Sequence, residues 1–275
     1  MTQRNILGIK IAAVNQTEAV NLIDQFCQSS GSSLVTTVNT EFIVGAQKDS
    51  EFQRILNKKS KLNLPDGGGL LWAAKFQSFT PSKSSFWRPV KIVGQWIGTI
   101  LLIPVYPRYF RGVLPERVAG SDLIVSIAKM AAEKNYRLFL LGGASTVAER
   151  AALKLQTDIY NLKVTGVSSE NPDKADEVVE MVKRSKAEIL LVAYGAPKQE
   201  KWLASFLAQT GAKVGLGVGG SFDFLAGTQT RAPKWMQKRN LEWLFRLLSS
   251  PSRIGRQMAL PKFLWLNLKK KLSEK

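Results

Sequence analysis

The chain has 275 residues, 45% of them hydrophobic and 22% charged, with a formal net charge of +18, one cysteine and no histidine. This length and composition predict one large or two small domains around a substantial core. The lone Cys27 and the absence of histidine exclude a disulfide framework and the ordinary zinc and haem sites, and they are typical of a reducing compartment. The amino-terminal stretch has no basic segment followed by an apolar one, so no secretory signal is expected.

Apolar strand patterns alternate with amphipathic helical patterns along most of the chain. Strands are predicted at residues 6–11, 33–39, 61–64, 136–143, 162–167, 187–195 and 212–220. Helices are predicted from residue 17 and at 121–134, 145–156, 175–185 and 197–208. This alternation predicts a Rossmann-like α/β domain over residues 1–230, a parallel sheet with helices on both faces. Residues 231–275 are predicted to be helical throughout, with caps or breaks at Pro233, Pro251 and Pro261.

The positive charge is concentrated in two segments. Residues 231–275 contain 12 Lys and Arg against 2 acidic residues, and residues 76–120 contain 6 against 1. Such segments attract nucleic acid or an anionic membrane surface.

The residues between the basic groups favour the membrane. From Ile92 to Pro107 the chain carries no charge, but this run is shorter than the ~20 residues that a spanning helix needs. Aromatic and basic residues flank it, which is typical of interfacial or re-entrant insertion by residues 86–111. The alternatives are a hairpin packed on the protein's own core and an oligomer interface. Nucleic-acid binding would favour aromatic residues spaced among polar ones rather than an aliphatic run.

Glycine and small polar residues follow several predicted strands. In open α/β sheets the ligand crevice lies outside the carboxyl ends of the strands, where glycines admit a phosphate. This placement selects Thr37, Asn39, Gly68, Gly142, Gly143, Tyr194 and Gly219 as candidate substrate contacts. Gly215, Gly217 and Gly220 match the dinucleotide pattern G-x-G-x-x-G, but the acidic residue expected after a second strand is missing, which argues against a dehydrogenase.

The stretch "NLPDGGGLLW" places Asp66 before three glycines. Because the chain has no histidine, proton transfer near neutral pH falls to a carboxylate, a tyrosine, a lysine or Cys27. Asp66 is therefore a candidate general base, and equally a candidate N-cap of the following helix.

Eight motifs together resemble the WecG/TagA/CpsF family of glycosyltransferases. They are "TVNTEFIVGAQKDSEF", "LPDGGGLLWA", "PERVAGSDL", "FLLGG", "YGAPKQEKW", "GVGGSFDFLAG", "RAPKW" and "LEWLFRL". The resemblance covers residues 5 to about 265. It departs from the family's pattern at an insertion of some 35 residues, roughly 78–113.

The resemblance implies inverting transfer of a sugar, N-acetylmannosamine or its uronate, from a UDP-sugar to a polyprenyl-diphosphate-linked acceptor. It implies a Rossmann-like domain with a helical C-terminal appendage at the membrane, and hence a peripheral or monotopic protein on the cytoplasmic side. The family uses no D-x-D metal motif, and none occurs here, so neither a metal nor a cofactor is expected. A homo-oligomer is compatible with these features, and nucleic acid is not an expected partner.

The resemblance also implies roles for residues. Asp66 matches the proposed base, and the glycines after it are expected to leave room for two sugars. Arg117 matches an active-site arginine, with a surface ion pair to Glu116 as the alternative. Thr37 and Asn39 are expected to contact a sugar.

Further matches carry alternatives of their own. Gln199 is expected to contact the nucleotide or sugar, or else to be an exposed first-turn residue of its helix. Asp223 is expected to bind substrate or to cap the next helix. Arg246, Arg253 and Arg256 match appendage arginines near the diphosphate, with lipid headgroups as the alternative; on one continuous helix they would share a face.

Two other classes of protein are compatible with the sequence. One is a membrane-associated binding protein that keeps the fold without activity, against which the intact Asp66, Asn39, Arg117 and Gln199 argue. The other is a basic nucleic-acid-binding protein, which would bind any duplex with a steep dependence on salt.

Overall fold

The computed structural model describes residues 1–80, 86–249 and 254–274. A short antiparallel hairpin opens the chain, formed by β1 (Gln3–Ile6) and β2 (Ile9–Ala12). The main sheet has six parallel strands in the order β4-β3-β8-β7-β5-β6. Its strands are β3 (Ser33–Val38), β4 (Ser60–Pro65), β5 (Arg137–Gly142), β6 (Lys163–Ser168), β7 (Ile189–Ala193) and β8 (Val214–Gly217). The predicted α/β class is confirmed.

Helices follow the strands and then form the carboxyl-terminal region. In chain order they are α1 (Gln16–Gln28), α2 (Thr40–Ala46), α3 (Ser50–Arg54), α4 (Gly68–Gln77), α5 (Trp87–Val105), α6 (Gly120–Lys134), α7 (Val147–Asp158), α8 (Ala175–Ser185), α9 (Lys198–Thr210), α10 (Ser221–Leu225), α11 (Lys234–Lys238), α12 (Glu242–Ser249), α13 (Ile254–Gln257) and α14 (Ala259–Ser273). A π-helical turn spans Ile55–Lys59, and a 3₁₀ helix spans Pro107–Gly112.

Both faces of the sheet are covered, and β5 shows this directly. Leu138 and Leu140 belong to one buried cluster, which includes apolar residues of α1, α6 and α7. Phe139 and Leu141 belong to another, which includes residues of α8 and α9. Successive side chains of a strand point to opposite faces, so the two helix layers lie on opposite sides of the sheet. The nearly continuous burial of the central strands β3, β8, β7 and β5 is typical of a parallel sheet.

The amino-terminal prediction was wrong in one respect. Residues 6–11 were expected to form one strand, whereas Leu7 and Gly8 form a tight turn between β1 and β2. Both turn residues have positive φ, 48° and 86°, as a two-residue hairpin loop with a type I′ turn requires. The Asn5 Oδ1 accepts a hydrogen bond of 2.8 Å from the Gly8 main-chain N–H. Leucine seldom adopts this conformation, which is why the turn was missed.

The segment 86–111 forms α5 and most of the 3₁₀ helix, so the hairpin of the alternative interpretation is wrong, but one side of the segment packs on the protein's own core as that alternative expected. Ile92 and Phe110 are buried in a third apolar cluster, with Trp72 of α4 and Phe263 of α14. In the residues that the structure describes, we find no helix with the length and apolar character needed to cross a membrane.

The carboxyl-terminal region is helical wherever it is described, as predicted. Pro233 is the N-cap residue of α11, in agreement with the expected helix start. Pro261 does not break a helix, because it lies in the first turn of α14, where a missing N–H costs no hydrogen bond. Pro251 lies outside the described residues.

Candidate active site

A cleft lies where the carboxyl ends of β3, β4, β7 and β8 meet, the usual ligand position in an open α/β sheet. Its empty volume is about 830 Å³, part of which is open to solvent. The appendage contributes to its wall through α12 and α13. The expected residues that line it are Thr37, Asn39, Asp66, Gln199, Gly219, Arg246 and Arg256.

Asp66 lies on the turn between β4 and α4. Its main-chain N–H donates to the carbonyl of Val38 across 2.7 Å, which fixes the turn against the end of β3. The N-cap residue of α4 is Gly67, and within residues 1–80 no side chain caps this helix. The alternative interpretation of Asp66 as a cap is therefore wrong.

The pKa of the Asp66 carboxyl is raised above its ordinary value, chiefly because burial disfavours the charged form. The positive charges of Arg117 and Arg246 act in the opposite direction without cancelling this effect. The negative charge of Glu242 adds to the rise, and a hydrogen bond from the Gly120 main-chain N–H opposes it. A carboxylate with a raised pKa beside cationic groups has the properties of a general base.

Two of the three glycines after Asp66, Gly68 and Gly69, serve close packing, which differs from the expected role of leaving room for sugars, whereas Gly67 has no atom within 4 Å of the position a Cβ would take. Gly67 has φ of +110°, a conformation that other residues rarely adopt. A Cβ on Gly68 would lie 2.4 Å from the Asn240 Cγ, and one on Gly69 would lie 2.6 Å from the Thr40 Cγ2. Gly68 therefore contacts the appendage, and it is not part of the cleft wall in the described chain.

Arg117 is held by the appendage. Its Nη1 donates to the Glu242 Oε2 in an ion pair whose two side chains are 16% and 13% exposed. The expected surface partner is wrong, since the Glu116 Oε2 accepts instead from the main-chain N–H of Gln16 at 3.1 Å. Arg117 thus lies beside the cleft, where its charge reaches Asp66.

Glu242 also binds a second arginine. The Arg231 Nε donates to the Glu242 Oε1 at 3.3 Å, and the Arg231 Nη2 donates to the Asp122 Oδ2 at 2.7 Å. This pairing lowers the pKa of Asp122 and raises that of Arg231. Sequence reasoning missed Glu242, Arg231 and Asp122, although all three lie in the family's motifs, because the pairs Arg117–Glu242 and Arg231–Asp122 join residues more than 100 positions apart.

Gln199 links two loops of the cleft. Its Oε1 accepts from the main-chain N–H groups of Gly195, at 3.1 Å, and Gly219, at 3.0 Å. Its Nε2 donates to the Glu200 Oε1 at 2.7 Å. The side chain is buried, so the alternative of an exposed first-turn residue is wrong. Glu200, which sequence reasoning did not select, is fully buried, and burial raises the pKa of its carboxyl to about 7.

Thr37 lies near the end of β3 and Asn39 follows the strand, and both make structural contacts at the cleft. The Thr37 Oγ1 donates to the carbonyl of Gly217 at 3.3 Å. The Asn39 Oδ1 caps α2 by accepting from the Phe42 main-chain N–H at 3.1 Å. Both contacts tie β3 to its neighbours, so the position of these side chains is set before any ligand binds.

Two of the appendage arginines reach the cleft. Arg246 lies over the Phe224 ring, 5.4 Å from the ring centroid, and the Arg256 Nε lies 3.6 Å from the Glu41 Oε1. Arg253 lies outside the described residues. Since α12 and α13 are described only on either side of residues 250–253, the expected common face of the three arginines stays a prediction.

Four expected contacts lie away from the cleft wall of the described chain. Gly142 packs closely on Tyr194, which in turn packs edge-on against Trp202 with ring centroids 6.0 Å apart. Gly143 lies beside the start of α7. The Asp223 Oδ1 accepts a hydrogen bond of 3.3 Å from the Thr228 hydroxyl. The N-cap residue of α10 is Gly220, so the alternative role of Asp223 as a helix cap is wrong.

The comparisons with known proteins agree with this architecture. A sequence model described as the Glycosyl transferase WecG/TagA/CpsF family matches residues 4–85 and 102–275. The chain belongs to this family of glycosyltransferases. The residues that the family model leaves out, 86–101, make up most of α5 and fall inside the expected insertion at 78–113.

Three curated relatives of this glycosyltransferase share the name N-acetylglucosaminyldiphosphoundecaprenol N-acetyl-beta-D-mannosaminyltransferase. The protein from Bacillus subtilis strain 168 is 27% identical over 276 residues, covering 100% of this chain and 94% of the relative. The protein from Bacillus spizizenii is 27% identical, covering 92% and 91%. The protein from Staphylococcus aureus strain MRSA252 is 26% identical, covering 95% and 90%.

In residues 1–80, 86–249 and 254–274 there is no group of three His, Cys, Asp or Glu side chains placed to hold a metal ion. The positive charge at the cleft comes from Arg246 and Arg256 on its wall and Arg117 beside it. Guanidinium groups bind phosphate oxygens in pairs of hydrogen bonds, so these side chains suit a diphosphate.

Proposed function

We propose that this glycosyltransferase moves N-acetylmannosamine, or its uronate, from a UDP-sugar to a polyprenyl-diphosphate-linked saccharide, with inversion and without a metal ion. The relatives' names support both the N-acetylmannosaminyl group and an N-acetylglucosaminyl-diphospholipid acceptor. One observation carries the proposal: the carboxyl of Asp66, with its raised pKa, faces a cleft that Arg246 and Arg256 also line.

In the proposed step Asp66 removes the proton from the acceptor hydroxyl as the hydroxyl oxygen attacks the anomeric carbon. The new bond between carbon and oxygen forms while the bond from the anomeric carbon to the β-phosphate oxygen breaks. The electron pair leaves with UDP, and the proton stays on Asp66. A single displacement of this kind inverts the anomeric configuration. The raised pKa makes Asp66 a stronger base than an exposed aspartate.

The departing UDP gains negative charge, and the cleft holds groups that stabilise it. Arg246 and Arg256 lie on the wall, and α6 begins at Gly120, another lining residue. A helix N-terminus and fixed cations both stabilise a diphosphate as its charge develops. We assign to these groups the role that a metal ion has in other glycosyltransferases.

The proposal is tested with a panel of UDP-sugars and an N-acetylglucosaminyl-diphosphate acceptor on a short polyprenyl chain. The expected result, by mass spectrometry, is addition of one N-acetylhexosamine or its uronate, with the inverted anomer by NMR. UDP binding without transfer from any donor would favour the non-catalytic binding protein of the same fold.

Metal independence has its own test. Transfer should persist at an unchanged rate after dialysis against EDTA, since Arg246 and Arg256 provide the positive charge at the cleft. Loss of activity with rescue by Mg²⁺ or Mn²⁺ would contradict this part of the proposal.

We further propose that the protein acts at the cytoplasmic face of the membrane, bound peripherally through residues 86–111 and the appendage. The acceptor carries a lipid, and both segments are basic. Membrane flotation of the protein in cell extracts, with and without high salt, tests this location.

A further inference from the structure

Helix α5 carries a continuous apolar stripe that no part of the described chain covers. Six side chains form it, each between 37% and 75% exposed. They are Phe86, Val90, Val93, Ile97, Leu101 and Val105. Their spacing of three and four residues places them along one side of the helix. An exposed apolar surface of this length on a protein marks an interaction site.

The opposite side of α5 is fixed to the rest of the protein. Ile92 is buried, and the Trp72 Nε1 donates to the Thr99 Oγ1 at 2.9 Å. The Trp96 Nε1 donates to the carbonyl of Leu264 in α14 at 3.0 Å. Because these contacts hold the middle of α5 against α4 and α14, the stripe lies on the outer side of the helix and can meet a partner only there.

The charges and aromatic residues around the stripe indicate its partner. Residues 67–115 contain no acidic residue, and Lys91, Arg108 and Arg111 are exposed. Exposed aromatic side chains stand at both ends of α5: Trp87 at the start, with Tyr106 and Tyr109 just after the end. Basic groups attract anionic headgroups, and tryptophan and tyrosine favour the interface between headgroups and acyl chains.

We propose that α5 is an interfacial helix that lies in the plane of an anionic membrane, with its stripe among the outer parts of the acyl chains. This inference rests on the proposed function, because it places the cleft beside a lipid-linked acceptor. The family model leaves out residues 86–101, so most of the stripe lies outside the part of the chain that the model matches, and the proposal specifies how the segment 86–111 would contact the membrane. Binding strength for such a helix follows its buried apolar area and its attraction to anionic lipid.

The first test replaces two residues at the centre of the stripe, Ile97→Glu with Leu101→Glu. The matched control replaces two exposed apolar residues near the other edge of the sheet, Leu153→Glu with Tyr160→Glu. Co-sedimentation with phosphatidylglycerol/phosphatidylcholine vesicles should weaken about tenfold or more for the stripe variant and stay unchanged for the control. Transfer to a short-chain acceptor in solution should be the same in both variants and the intact protein.

A second test does not depend on how the charged variants fold. Cys27 is the only cysteine and is buried, so Ile97→Cys introduces one accessible thiol for an environment-sensitive dye. The dye emission should shift to the blue on anionic vesicles, while the same dye on a Leu153→Cys control should not respond.

Vesicle binding by the stripe variant equal to that of the intact protein, or a dye on residue 97 that does not respond, would overturn the proposal. So would sedimentation of the intact protein as a dimer that the stripe substitutions dissociate, since the stripe would then contact a second copy. The two proposals can fail separately. If the proposed function is wrong, no sugar transfer will be observed in solution, while binding to vesicles will still be observed.

Discussion

Gln199 and Glu200, the second and third residues of α9, share a buried hydrogen bond of 2.7 Å from the Gln199 Nε2 to the Glu200 Oε1. Because the carboxylate accepts from this nitrogen, the amide oxygen of Gln199 is turned toward the N–H groups of Gly195 and Gly219. The buried acid thus orients the amide that joins two loops of the cleft. The Glu200 Oε2 has no hydrogen-bond partner among the described residues.

We predict that Glu200→Gln makes folding stability less sensitive to pH. The pKa of Glu200 is about 7 in the folded protein against 4.5 ordinarily, so between these values the folded state binds the extra proton and stability falls as pH rises. This shift in pKa lowers the free energy of unfolding by about 3 kcal/mol once the pH is above 7. Thermal unfolding from pH 5 to 8 should show the variant gaining stability over the intact protein as pH rises.

The control for this prediction is Glu133→Gln, at an exposed position on α6. Its pH dependence should follow that of the intact protein. Parallel curves for Glu200→Gln and the intact protein would show that Glu200 is ionised at little cost in the folded state.

Asp66→Asn should reduce turnover by about 10²-fold or more, since it removes the proposed general base. Binding of UDP, measured by calorimetry, should be nearly unchanged. The melting temperature at pH 8 should not fall, because burial disfavours the charge that the substitution removes. Turnover close to that of the intact enzyme would refute the role of Asp66.

Arg246→Gln should move the acid limb of the pH profile of kcat/KM to higher pH. The positive charge of Arg246 lowers the pKa of Asp66, so its removal leaves the base protonated over a wider range. Arg256→Gln is the matched control, since Arg256 also lines the cleft but pairs with Glu41. A limb that moves equally in both variants would mean that general loss of charge, rather than the Arg246–Asp66 interaction, sets the profile.

Glu242→Gln should loosen the appendage from the α/β domain. It removes the charge that Arg117 and Arg231 both contact, and loss of such hydrogen bonds costs about 1–3 kcal/mol. Amide hydrogen exchange in α12 should become faster, while exchange in β5 should not change. Glu274→Gln, which removes an ion pair to Lys271 at the end of α14, serves as the control. Unchanged exchange in α12 would show that apolar packing alone holds this helix.

The sequence predicted the sheet well because its strands alternate with helical patterns, and because β5 and β7 are apolar runs that each have a helix after them. For example, β5 was predicted from its own six residues, without reference to residues far away in the chain. The hairpin at Leu7 and Gly8 was missed because leucine is unusual at positive φ. The site was predicted in part: the motifs selected Asp66 and Gln199, but the pairing of Arg117 with Glu242 depends on how a distant helix packs.

The contact between Gly68 and Asn240 has a mechanical consequence. Even the single carbon of an alanine at position 68 would overlap the Asn240 side chain, so the appendage can move away from the turn that carries Asp66 but cannot move closer. The backbone of that turn is in direct contact with residues 231–249 through Asn240, and this contact prevents closer approach. Because Gly68 has no side chain, Asn240 of the appendage packs directly on the turn that carries Asp66, and a substitution at position 68 would separate the two.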